Sequence, residues 1–115
     1  MTLLQAQKKF SVFAARLILK LSEAGYEITL GEALRPDALA KLYASEGKGI
    51  ALSNHRIKLA IDLNLFKDGV FLTRSEQYRE AGALWEAMSD GEVTCCWGGK
   101  FDDGNHFSFL WKGIR

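Results

Sequence analysis

Proline occurs once in the 115 residues, at Pro36, and cysteine only as the adjacent pair Cys95 and Cys96. With no Pro/Ser-rich tract or internal repeat to divide it, the chain reads as one domain, residues 1–115, able to bury a single core. Adjacent cysteines rarely bridge because the geometry is strained, so the two thiols are expected to be reduced, as in a reducing compartment. Neither sign of charge is in excess. Fifteen basic residues against fourteen acidic ones leave +1, which excludes partners recruited by charge alone, nucleic acid and anionic membranes among them. No apolar run approaches the roughly 20 residues of a membrane span. The opening MTLLQAQKKF lacks the basic-then-apolar order of a secretory signal. A protein made in a cytoplasm without a signal peptide, not inserted in a membrane and acting as a monomer, is the expectation.

What is present is patterned. Residues 5 to 24 place Phe10, Phe13, Ala14, Leu17, Ile18 and Leu21 at the spacing of one helical face, and Gly25 supplies a stop. YEITL alternates as a short strand. Pro36 and Asp37 open a second helix through Glu46, ended by GKG at 47 to 49. LAIDLNLF reads as a strand, KDG at 67 to 69 as a turn and VFLT as the returning hairpin strand. Thr73 with Glu76 makes a capping box for a helix carrying Tyr78, Ala81, Leu84, Trp85 and Met88. From Asp90-Gly91 the chain is loop-like through CCWGGKFDDGN, and HFSFLW closes as a strand. Helices and strands follow one another without regular βαβ alternation, so the fold class is α+β, a small antiparallel sheet packed with helices.

Histidine is scarce too, and both copies lie beside aspartates. In SNHRIKLAID, Asp62 sits between Ile61 and Leu63, and a buried carboxylate needs a partner. As co-ligands of one metal, His55 and Asp62 cannot share a continuous strand. Seven residues of strand would separate them by about 23 Å on opposite faces, and seven of helix by about 10 Å of rise. NHRIK must therefore bend, with the strand beginning near Leu59 and Asp62 on the face of Ala60 and Asn64. The other histidine, His106 in FDDGNHFSF, would complete a two-histidine, one-carboxylate set. Three protein ligands and an open position are the mark of a catalytic rather than a structural zinc. Asp103, three residues earlier, could stand beside the attacking water as a base. Taken singly, each signal favours a bland reading: a hydrogen-bonded histidine at a strand end, or turn chemistry in DDGN. Spacing alone leaves both readings open.

S-x-H followed by A-x-D, with the aspartate seven residues after the histidine, resembles the M15 zinc peptidases of the VanY and phage-endolysin type. Trp97-Gly98-Gly99 with Asp103 to Phe107 looks like that family's second motif. HRIKLAIDLNLF is especially similar to short phage enzymes that cleave the L-alanyl-D-glutamate bond of peptidoglycan. The resemblance runs from about Leu30 to Phe109. It implies a LAS/hedgehog-like fold, zinc on His55, Asp62 and His106, Asp103 as general base, and the stem peptide of bacterial peptidoglycan as substrate. It also implies that Arg35, in EALRP, holds the substrate or the developing oxyanion, work suited to a fixed guanidinium. Ser53 is a lesser substrate contact on this reading, or else a loop hydroxyl bonded to its own backbone. In one departure, Lys58 stands where the wider family often has glycine, so the bend must form without glycine's freedom.

Cys95 and Cys96 lack a spaced partner and read as packing residues. Trp85 and Trp111 read as core, while Trp97 could wall a cleft. Lys8, Lys9, Arg16 and Lys20 form a solvated helix face. The resulting expectation is a zinc-dependent peptidoglycan endopeptidase, a phage lysis enzyme made in the bacterial host and acting on its wall. One rival keeps the fold and changes the bond, to a D-alanyl-D-alanine carboxypeptidase or dipeptidase. Those relatives more often carry a glutamate base, and Asp103 weighs against them. The other rival is a non-catalytic phage wall-binding module.

Overall fold

The computed structural model describes residues 1–47 and 53–115. Helix α1 spans Leu3–Glu23 and starts two residues ahead of the periodic pattern because of its cap. Thr2 accepts the Gln5 N–H, and the Gln5 side chain returns to the Thr2 N–H at 2.8 Å, a reciprocal capping box. Phe10, Phe13, Leu17 and Leu21 are buried along one face. Each contributes roughly 1.5–3 kcal/mol by leaving water, so packing rather than propensity fixes this helix. Gly25, at φ 96°, turns the chain out of it.

Strand β1, Glu27–Leu30, follows, and helix α2 covers Asp37–Ser45. The expected GKG stop falls partly outside the described residues; Gly47 has φ 73°, suited to a helix end. A 3₁₀ turn at Asn54–Ile57 leads into the long strand β2, Ala60–Lys67. Asp68 and Gly69 then both take positive φ, 52° and 77°, the signature of a two-residue type I′ hairpin. Only Val70–Phe71 return as β3, a shorter partner than VFLT.

The expected box between Thr73 and Glu76 does not form. Gln77 accepts the N–H groups of Thr73 and Arg74, each at 3.0 Å. The chain enters through a 3₁₀ turn, Ser75–Tyr78, and helix α3 runs only over Arg79–Glu86. The tighter turn brings Gln77, not Glu76, over the free amides. Nor is CCWGGKFDDGN all loop. Cys95–Trp97 form strand β4 and Gly98–Phe101 a 3₁₀ turn; three residues are too few to show a two-residue period. Strand β5 is His106–Phe109.

All pairings are antiparallel, in the order β1-β2-β5-β4 with β3 beside β2. The molecule is α+β, one open sheet with helices against it. Trp85 is wholly buried and stacks on Phe109 at 5.8 Å, while Phe10 and Phe13 meet it edge-on. Its indole N–H donates to the carbonyls of Cys96 and Ser108, which locks α3 to strands β4 and β5. Trp111 is only partly buried at the core's margin. Both thiols are buried and unpaired, and burial pushes Cys95 up to about 12, a packing residue rather than a thiolate ligand. Among the described residues no helix is long and apolar enough to cross a membrane.

Candidate metal centre

Strand register does the first part of the assembly. Asp62 on β2 and His106 on β5 are direct cross-strand partners, so two residues 44 positions apart in sequence lie side by side on one face. Asp62 is held by its backbone as well: its N–H donates to the Glu32 carbonyl and its own carbonyl accepts from Gly31, each at 2.8 Å. A Cβ at Gly31 would meet the Asp62 Cβ at 2.9 Å, so this approach requires glycine.

The bend demanded by His55 is the Asn54–Ile57 turn. Ser53 caps it, its hydroxyl accepting the His55 N–H at 3.2 Å, and the serine is buried. Asn54, also buried, donates to the carbonyls of Phe109 and Ile114 at 2.7 Å each. That clamp ties the turn to the end of β5. Lys58 closes the turn in the left-handed region, at φ 60° and ψ 33°, a conformation that costs a residue with a Cβ about 1–2 kcal/mol. Glycine would relieve that strain while adding unfolded-state entropy. Lys58→Gly is therefore expected to stabilise the fold by up to about 1 kcal/mol, read as a higher denaturation midpoint. A lower midpoint would mean that the lysine side chain, not the backbone, sets the cost here.

Three donor atoms result. His55 Nε2 lies 3.2 Å from Asp62 Oδ1 and 3.3 Å from His106 Nδ1. His106 Nδ1 lies 3.6 Å from the same carboxylate oxygen. Donors about 2.0–2.1 Å from one tetrahedral zinc stand about 3.4 Å apart, so the triangle has the right size. These three residues form a group able to hold a metal ion. Asp62 Oδ1 is buried yet accepts no hydrogen bond, although both imidazoles are within contact. The atoms converge on a common point instead of facing one another as donor and acceptor. An orphaned anionic oxygen between two ring nitrogens is what a cation would complete. Burial would raise the Asp62 pKa, but the imidazoles of His106 and His55 outweigh it and hold the carboxyl at about 2, ionised and ready to ligate.

The surroundings orient these donors. His55 Nδ1 lies 3.3 Å from the Ala33 carbonyl, which favours the proton there and leaves Nε2 as the free lone pair. Glu32 Oε1 is 3.9 Å from that same Nδ1 and takes the Arg35 Nε–H at 2.6 Å. Arg35 is thereby held beside the centre, its guanidinium 5.3 Å from the centre of the Tyr43 ring and its backbone N–H on the His55 carbonyl. Its terminal nitrogens keep free donors, since among the described residues only Nε is bonded. Glu32 was not among the sequence-derived candidates; an acid three residues before the arginine was the available signal.

Asp103 Oδ2 stands 3.9 Å from His106 Nδ1, with 57% of its side chain exposed. Burial at the cleft edge pushes its pKa up, against the opposing pull of His106. Asp102 takes φ 59° and is exposed, its N–H bonded to the Gly99 carbonyl. Glycines make this loop fit. A Cβ at Gly98 would lie 2.3 Å from the Asp103 carbonyl oxygen and 2.8 Å from the His106 Cβ, and one at Gly99 would enter the Trp97 ring. Trp97 in turn donates to the Gly104 carbonyl at 2.7 Å, pinning the loop that carries Asp103.

A family model described as D-alanyl-D-alanine carboxypeptidase, of the M15 peptidases, matches residues 46–109. That is more than half of the chain, and the chain belongs to the M15 peptidase family. Among solved structures, the Serratia marcescens L-Ala D-Glu endopeptidase ChiX is similar, with a TM-score of 0.60 and 23% identity over 85% of this chain and 76% of that one. At that identity the likeness is one of fold. No sequence among curated proteins matches.

Proposed function

We propose that this peptidase is a zinc-dependent endopeptidase of bacterial peptidoglycan, cleaving the L-alanyl-D-glutamate bond of the stem peptide, and that it serves as a phage lysis enzyme. The observation carrying this reading is the convergence of His55 Nε2, His106 Nδ1 and the buried, unbonded Asp62 Oδ1 on one point, with Asp103 beside them. Zinc held there would polarise the scissile carbonyl and acidify the attacking water. The remaining steps belong to side chains. Asp103, on the exposed edge of the centre, takes the water's proton on its carboxylate and returns it to the departing amine nitrogen. Arg35, fixed at Nε by Glu32, turns its remaining guanidinium donors to the carbonyl oxygen as negative charge gathers there. Ser53 enters as the cap of the turn that carries His55, its oxygen accepting that backbone N–H and its O–H left to donate to the substrate as a lesser contact.

The similarity of HRIKLAIDLNLF to short phage enzymes supports the L-alanyl-D-glutamate bond. The description of the matching family model favours the second reading, a D-alanyl-D-alanine carboxypeptidase. Digestion of purified peptidoglycan, with mass analysis of the released fragments, separates them. Cleavage after the L-alanine, abolished by a chelator, is the expected result. Release of D-alanine alone would establish the second reading, and no release at all would leave a wall-binding module.

A further inference from the structure

Beside the metal centre the structure holds an open groove of about 840 Å³, between the turn Ser75–Tyr78 with the start of α3 and the loop of residues 98–105. Its two walls are pinned where the Gly104 N–H donates to the Ser75 hydroxyl at 3.0 Å, with no room for a side chain at Gly104. Asp103 lines the groove and so joins it to the centre. So do Asn64, two residues beyond Asp62 on the same face of β2, and Asn105, next to His106.

Two features of this groove bear on what it could hold. Asn105 donates to Asn64 at 3.2 Å. In either orientation of the two amides, the pair still presents an N–H donor and a carbonyl acceptor, the complement of one peptide unit. The second feature is a spare cation. Three basic residues line the groove, and two are engaged: Arg74 with Glu76 at 3.2 Å and Lys100 with Glu86 at 3.3 Å. Arg79 is exposed, and no ion pair or hydrogen bond of its side chain occurs among the described residues. It also opens α3, where a cation opposes the helix dipole. Helix stability would select a different residue there.

We infer that the groove is a peptide subsite for a residue bearing a free carboxylate, the Asn64–Asn105 pair holding its backbone and Arg79 its carboxylate. The planar guanidinium fork matches a carboxylate with two parallel hydrogen bonds. This deepens the proposed function and rests on it. A D-glutamyl residue linked through its side chain keeps its α-carboxylate free, and the groove would then distinguish that acid from its carboxamide.

The test uses two synthetic stem peptides, alike except for a carboxylate or a carboxamide at that position. Cleavage and equilibrium binding are both measured, on zinc-loaded wild type and Arg79→Gln. Wild type is expected to favour the acid by about tenfold or more in kcat/KM and in affinity, the scale of a charge-assisted bidentate contact. Arg79→Gln should lose that preference through KM for the acid alone, with kcat and the carboxamide peptide unchanged, and Arg79→Lys should fall between. Because Arg79 is exposed and unbonded and its charge opposes the α3 dipole, the variant should melt at or slightly above wild type. Equal effects on both peptides, or a preference that survives Arg79→Gln in both assays, overturns the inference. Arg79-dependent binding of the acid without cleavage of either peptide would uphold the subsite and overturn the L-alanyl-D-glutamate assignment instead.

Discussion

His106→Ala is expected to abolish peptidoglycan cleavage and metal binding together. The substitution removes one of three convergent donors and leaves the buried Asp62 oxygen with a single imidazole, His55, at 3.2 Å. Outer partners of metal ligands already account for about 10–100-fold in affinity, so loss of a ligand itself should exceed that range. The fold should survive, because His106 enters β5 through its backbone: its own N–H reaches the Asp103 carbonyl at 3.1 Å and its register pairs it with Asp62. Elemental analysis should find about one zinc per wild-type chain and little in the variant, with unchanged circular dichroism. Unchanged zinc content in a folded variant would remove His106 from the ligand set.

The adjacent carboxylates of FDDGN should behave oppositely. Asp103 approaches the centre and its pKa is pushed up by burial, whereas Asp102 faces solvent in the left-handed region. Asp103→Asn keeps the shape and removes the proton acceptor, so fragment release should fall roughly 10²-fold or more at matched zinc occupancy. Asp102→Asn should stay within a few-fold of wild type, since asparagine tolerates that backbone conformation as readily as aspartate. An inactive Asp102→Asn beside an active Asp103→Asn would transfer the role of base to Asp102.

Periodicity and elementary distances made a good part of this arrangement readable before any coordinates. A separation of seven positions between His55 and Asp62 forced a bend, and the bend is the Asn54–Ile57 turn with Lys58 at φ 60°. Two-residue alternation placed Asp62 on the Ala60 and Asn64 face, where β5 delivers His106. Other parts depend on contacts between distant segments and leave no periodic trace. The three-residue spacing of Glu32 and Arg35 is a local signal for that pair, but nothing local marks Glu32 as a neighbour of His55, or Asn54 as the clamp on Phe109 and Ile114. The need for glycine at 31 and 98 arises only when Asp62 and Asp103 close against them. Strand β4 was missed because three residues carry no period. The box at Thr73 was misplaced because a 3₁₀ entry shifts the capping residue by one, to Gln77.

The most direct test of the account is a zinc titration of metal-stripped protein, followed by fragment release from purified peptidoglycan. A centre built from His55, Asp62 and His106 predicts no release without metal, recovery in proportion to added zinc, and saturation near one equivalent per chain, about one tetrahedral site. Full release by the stripped protein, or none at any zinc level from a folded chain, would contradict it.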